Sequence, residues 1–335
     1  MRNKSNQEVL IQLKNLTKKF GEFYAVSNIN IEVNRGEIVG FLGPNGAGKS
    51  TTMKMIAYLL EPSEGEIWIR GNGELKRLTR KNKDYLLDNL GFLIENPAFY
   101  GDLSPRTILT YFAKLKGYPK GKINHRIEEV LQFFRLEEWI DKKIKTFSKG
   151  MRQKIGIASA IIHDPDIIVL DEPQTGLDPK ARKEVRDFIL QLKQMGKTIF
   201  LSSHLLYEIS EVADRIAIIH NGKIIAFDTL DNLEAKTKKS IINFELLNTE
   251  AKTQNHLLEK VKSLVQSYTG IEKSVSWVKY NENTGVFQIF FNGDPQNQLK
   301  ILKTLIDNGF KIIEFSVPKA GLLEDLFIEL TKPEG

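Results

Sequence analysis

The sequence contains no cysteine, which excludes disulfides, thiolate metal sites and cysteine nucleophiles and fits a reducing compartment. It also lacks any apolar run long enough to cross a bilayer, and its opening residues, Met1-Arg2-Asn3-Lys4-Ser5-Asn6-Gln7, lack the apolar stretch of a signal peptide. A marked charge excess is missing too. The 48 basic and 42 acidic residues leave a formal +6, and they are interspersed, so the total selects neither nucleic acid nor an anionic membrane as partner. A soluble, cytoplasmic chain without a nucleic-acid partner is expected. At 335 residues, 41% of them apolar, it is long enough for two domains with ordinary cores.

What is present starts with Gly43-Pro44-Asn45-Gly46-Ala47-Gly48-Lys49-Ser50-Thr51, directly after Ile38-Val39-Gly40-Phe41-Leu42. The spacing is that of a G-x-x-x-x-G-K-[ST] phosphate loop, and the flanks suit it: a buried strand before, and after it a helix with Met53, Ile56, Ala57 and Leu60 on one face. In such a loop the glycines let the backbone bend round a phosphate. Free N–H groups at a helix start favour its oxygens, Lys49 adds positive charge and Ser50 offers a hydroxyl to Mg2+.

Around this loop the pattern is α/β. Residues 9–33 alternate apolar and polar positions, as in a small antiparallel edge, with Phe20 between the two runs as either a core aromatic or a stacking surface for a purine. A short strand at 66–69 and a polar helical stretch to Asn89 precede a strand that ends at Glu95. Residues of about 96–165 read as a helical insertion: Ser104-Pro105 caps a helix with Ile108, Leu109, Phe112 and Leu115 inward, and Asn124 caps a second with Ile127, Val130, Leu131 and Phe134 inward. A helix over 154–163 follows Phe147-Ser148-Lys149-Gly150-Met151, and a buried strand over 166–170 ends in Asp171-Glu172-Pro173. Asp178 caps and Pro179 starts a further helix, residues 198–203 form a strand ending at His204, and Asn221-Gly222 turns a hairpin over 216–227. Beyond Asp231 the order becomes β-α-β-β-α-β, the split pattern of a ferredoxin-like domain, with a terminal helix over 322–330. The expected domains are 1–232 and 233–335.

A carboxylate at a strand end suits Mg2+, and Glu172 directly after Asp171 can orient or deprotonate a water attacking a γ-phosphate. Taken together, the phosphate loop, Glu95, Phe147-Ser148-Lys149-Gly150-Met151, Asp171-Glu172, Gly176-Leu177-Asp178 and His204 closely resemble, in order and spacing, the ATP-binding subunit of an ABC transporter, over residues 9 to about 230. The resemblance implies an ABC-type nucleotide-binding domain with a helical subdomain and an antiparallel β edge, here followed by a small α+β domain.

For the site, the resemblance implies that Phe20 stacks on adenine, Gly43 to Thr51 cradle the phosphates, and Ser50, Glu95 and Asp171 serve Mg2+. Glu172 would be the catalytic base, and His204 would sense the γ-phosphate. Ser148, Gly150 and Asp178 would also bind the nucleotide, Ser148 and the Gly150 backbone through the γ-phosphate held by a second copy, so that ATP is sandwiched in a dimer. Separate membrane permease subunits would carry the cargo, with this chain peripheral on the inner face of the cell membrane, and the segment near Phe99 and Tyr100 would meet them.

Three positions depart from the usual pattern: Lys149 and Met151 replace a glycine and a glutamine, and Glu95 replaces a glutamine. Glu95, with Ser202-Ser203-His204-Leu205-Leu206 and the C-terminal segment 318–327, is similar to the bacitracin and lantibiotic export branch. The competing readings are a soluble ABC ATPase acting on ribosomes or DNA, and a regulatory ATP-binding module.

Overall fold

Alternating polar and apolar residues at the start of the chain form β1 (Val9–Phe20) and β2 (Phe23–Asn34), an antiparallel hairpin with Phe20 opposite Phe23 at its tip. The uninterrupted apolar run that follows becomes β3 (Ile38–Leu42), buried at every residue, and passes through the Gly43–Gly48 loop into α1 (Lys49–Ile56). Then β4 (Glu64–Gly71) pairs with β1, and β5 (Glu74–Arg77) with β4, giving an edge sheet of order β2-β1-β4-β5. This computed structural model describes residues 8–95, 97–236, 240–247, 254–267, 275–281, 284–291 and 295–317.

After α2 (Lys83–Leu87) and β6 (Leu90–Leu93), the helical insertion contributes α3 (Pro105–Leu115), α4 (Ile123–Phe133) and α5 (Lys149–Ile161). The α/β pattern resumes with β7 (Ile167–Leu170), α6 (Pro179–Gln194), β8 (Thr198–Ser203), α7 (Leu206–Ser210), β9 (Arg215–His220) and β10 (Lys223–Thr229). The second sheet has the order β10-β9-β3-β8-β7-β6, parallel throughout except for β10. The register sets Leu42 beside Ser203, Leu170 beside Leu201 and Leu93 beside Leu170. The carboxyl ends of β3, β8, β7 and β6 therefore reach one edge together, where open α/β sheets bind ligands. Between the two sheets lies a core that includes Leu13, Ile29, Phe41, Met53, Ile56, Val169 and Phe200.

The chain divides into compact units at Leu230/Asp231. After α8 (Leu230–Lys236), the second unit contains β11 (Ser240–Leu246), α9 (Gln254–Ser267), β12 (Val275–Asn281), β13 (Val286–Phe291), α10 (Pro295–Asp307) and β14 (Ile312–Ser316). Its antiparallel sheet, ordered β12-β13-β11-β14, is ferredoxin-like, and Phe244, Val261, Phe287, Ile289, Ile301 and Leu305 belong to its core. The helix expected over 322–330 and the segment 318–327 lie outside the described residues.

Several local expectations are corrected. The loop helix stops at Ile56, because Tyr58 takes a left-handed conformation (φ 55°), so Ala57 and Leu60 fall outside it. The polar stretch after Gly73 opens with β5 and keeps only one helical turn and a half as α2. Lys122, not Asn124, caps α4, while Leu115 ends α3 at 65% exposure instead of facing inward. The helix expected from Lys154 starts five residues earlier, at Lys149, because Ser148 caps it: its Oγ accepts from the Met151 N–H at 3.2 Å.

Candidate active site

The phosphate loop closes against the edge hairpin. Gly48 has φ 106°, and a Cβ there would lie 2.4 Å from the Ala25 carbonyl oxygen, so both conformation and space demand glycine. The Lys49 side chain is almost fully buried and folds back over the loop, its Nζ donating to the carbonyls of Gly43 (2.8 Å) and Pro44 (3.1 Å). Thr52 Oγ1 donates to Gly48 O at 2.9 Å and locks the first turn of α1, the turn that carries Ser50 and Thr51. Phe20 is half exposed at the hairpin tip, with Lys18 Nζ 5.2 Å from its ring centroid and anchored on Glu61 O at 2.7 Å.

At the end of β7, Asp171 is buried, and its Oδ1 accepts from the Ser202 hydroxyl at 2.5 Å. Glu172 follows in a left-handed conformation (φ 45°). Its Oε1 is 3.3 Å from Lys49 Nζ, while Oε2 accepts from Thr175 Oγ1 at 2.8 Å and meets His204 Nδ1 at 3.0 Å. Burial alone would push this carboxyl up. The Thr175 hydroxyl, the Lys49 charge and His204 together outweigh it and hold the group below its ordinary range, ionised at neutral pH. Lys49, Asp171, Glu172 and His204 thus share one bonded network.

A second group lies at the start of α5. Ser148 caps that helix, and a Cβ on Gly150 would come within 2.7 Å of Ala181 Cβ, so α5 packs closely on the first turn of α6. Asp178 caps α6 by accepting from Ala181 N–H at 2.9 Å, with Pro179 as its first residue. Lys149 reaches the loop between Glu172 and Asp178: its Nζ stands 2.1 Å from where a Cβ of Gly176 would be. Gly176 is itself left-handed (φ 68°). Glu95 is 62% exposed at φ 66°, and its carboxylate pairs with Lys54 Nζ on α1 at 2.5 Å. The structure therefore places Glu95 against a lysine, outside the network around Asp171.

Sequence reasoning missed Ser202, Thr175 and Lys54. Thr175 stands three residues after the carboxylate it serves, a local signal that could have been read. Ser202 sits beside Asp171 only because β8 neighbours β7, and no spacing in the chain reveals that order.

Residues 26–175 match the family model described as "ABC transporter". The chain is 35% identical to the bacitracin transport ATP-binding protein BcrA of Bacillus licheniformis over 322 residues, covering 96% of this chain and 97% of that one. Among solved structures, an ATP-binding subunit of an ABC transporter superposes with a TM-score of 0.61 at 33% identity, covering 68% of this chain and 92% of that chain. A dimeric ATP-binding cassette in a post-hydrolysis state, bound to ADP and Pi, gives a TM-score of 0.58 at 27% identity, covering 66% and 99%.

Proposed function

Because the chain belongs to the ABC transporter family and carries its ATP-binding domain, we propose that it hydrolyses ATP to drive export through separate membrane permease subunits. The cargo is of the class that includes peptide antibiotics, drugs and lipid-like molecules. The chain acts as a dimer on the inner face of the membrane, and no helix among the described residues is long and apolar enough to cross a membrane. The observation that carries the reading is the juxtaposition of the phosphate-loop lysine, which follows β3, with an ionised Glu172, which follows β7, two parallel strands flanking β8.

In this reading the loop amides of Gly43 to Thr51 and Lys49 hold the phosphates, while Phe20 presents a ring face to the base. Glu172 accepts the proton of the attacking water, and His204, hydrogen-bonded to the same carboxylate, keeps it in place and meets the γ-phosphate. Mg2+ fits the oxygen donors available, the Ser50 hydroxyl and the Asp171 carboxylate, and when bound supplies charge neutralisation on the phosphates. Ser148 and Gly150 from the second copy complete the site.

The test is reconstitution of the full chain with the membrane proteins encoded beside its gene. ATP-dependent export from vesicles is expected; robust ATP turnover with no membrane protein co-purifying would overturn the transport part.

A further inference from the structure

Consecutive residues leaving a strand point to opposite faces, yet Asp171 and Glu172 both belong to one network. Glu172 reaches it by adopting the left-handed conformation, which a non-glycine residue keeps only when its surroundings hold it there. The hold comes from the adjacent strand. Glu172 N–H donates to Ser202 Oγ at 2.9 Å, and the Ser202 hydroxyl donates onward to Asp171 Oδ1 at 2.5 Å. The direction of both bonds follows from the atoms: an amide N–H cannot accept, a carboxylate oxygen accepts, and the hydroxyl has one proton. Ser202 is fully buried, so no solvent molecule substitutes for it. Asp171 N–H, meanwhile, donates to Leu93 O at 2.7 Å and fixes the backbone from the other side.

We propose that Ser202 is a positioning residue that sets the Asp171 carboxylate and the Glu172 backbone as one unit, leaving Oδ2 of Asp171 to face the cation carried by the nucleotide. The proposal rests on the ATPase reading above. Ser202 touches neither phosphate nor water in this scheme and acts through its two neighbours.

The experiment is a titration of the full chain with the fluorescent nucleotide mant-ATP, in Mg2+ and in EDTA, for the parent, Ser202→Ala and Ser202→Cys. Cysteine keeps nearly the same volume while weakening the donor, which guards against collapse of the site. Both variants are expected to lose about tenfold of the Mg2+-dependent gain in affinity, as for a lost hydrogen bond to a charged group, with binding in EDTA unchanged. An undiminished Mg2+ gain in both variants would overturn the proposal. So would an equal loss in EDTA, which would make Ser202 a residue of the fold alone. If the parent itself binds no mant-ATP, or binds it with no Mg2+ gain, the ATPase reading fails instead.

Discussion

Lys49 Nζ lies 3.3 Å from Oε1 of Glu172, so the cation of the phosphate loop and the carboxylate at the end of β7 face each other directly. Each is thereby held ready: the lysine nearly dry and hydrogen-bonded to the loop, the carboxylate ionised. Lys49→Ala is expected to weaken ATP binding by at least about tenfold, roughly 1.4 kcal/mol, because charge-assisted contacts to the phosphates are lost. A fluorescent-nucleotide titration checks it, and unchanged affinity would remove the loop from its assigned role.

Glu172→Gln should keep ATP bound while hydrolysis falls by about 10²–10⁴-fold, the usual worth of a positioned general base. A phosphate-release assay at saturating ATP decides it.

The depressed acidity of Glu172 sets the sign of a pH effect. Its ionised form is favoured in the folded state, so the stability it contributes is full above its unfolded value, near 4.5, and is lost only as pH falls through the lower folded value. Thr175→Val removes the hydroxyl bonded to Oε2 and should move the acid limb of the ATPase profile to higher pH. A limb that does not move would dissociate Thr175 from the base.

Gly48→Ala meets both a left-handed backbone and the Ala25 carbonyl. Strain of this kind costs about 1–3 kcal/mol, so Tm should fall by several degrees and ATP affinity should drop with it. Calorimetry and titration on the same sample measure the two effects together.

His163 supplies a pH signature away from the site. Burial, helped by the nearby positive charges of Lys116 and Arg126, lowers its pKa to about 4. Its Nε2 sits 3.3 Å from the Leu90 carbonyl, which can only accept, while Nδ1 is buried with no hydrogen-bond partner among the described residues. The folded chain therefore keeps the ring neutral where the unfolded chain, near 6.5, takes up a proton. Stability from this group is complete above pH 6.5 and drains away between 6.5 and about 4, by at most about 3 kcal/mol. Denaturant titrations of His163→Gln across that window should show a flatter pH slope than the parent.

Much of the site was legible because its chemistry is local in sequence. The loop from Gly43 to Thr51, the carboxylate pair Asp171-Glu172 and the Asp178-Pro179 helix start each announce themselves within a few residues. The ferredoxin-like order was readable for the same reason: each of its elements has its own period and its own turn. What escaped depends on neighbours in space. β5 is short and polar, and only its partner β4 makes it a strand. Ser202 needs the β7–β8 register, and the Glu95–Lys54 pair needs α1 to pass the end of β6. Leu115 fits a helical period yet lies where α3 runs out into solvent, so periodicity marks a face without saying where cover ends.

Lys149 carries its ammonium over Gly176. A side chain at 176 would displace the Lys149 ammonium, the free end of a flexible side chain, while the left-handed backbone there (φ 68°) favours glycine whatever residue stands at 149. Restoring glycine at 149 frees that space without restoring an ordinary signature. The backbone, more than the ammonium, therefore governs position 176, so a library randomised at both should yield active clones enriched in glycine or asparagine at 176 whether or not lysine stands at 149.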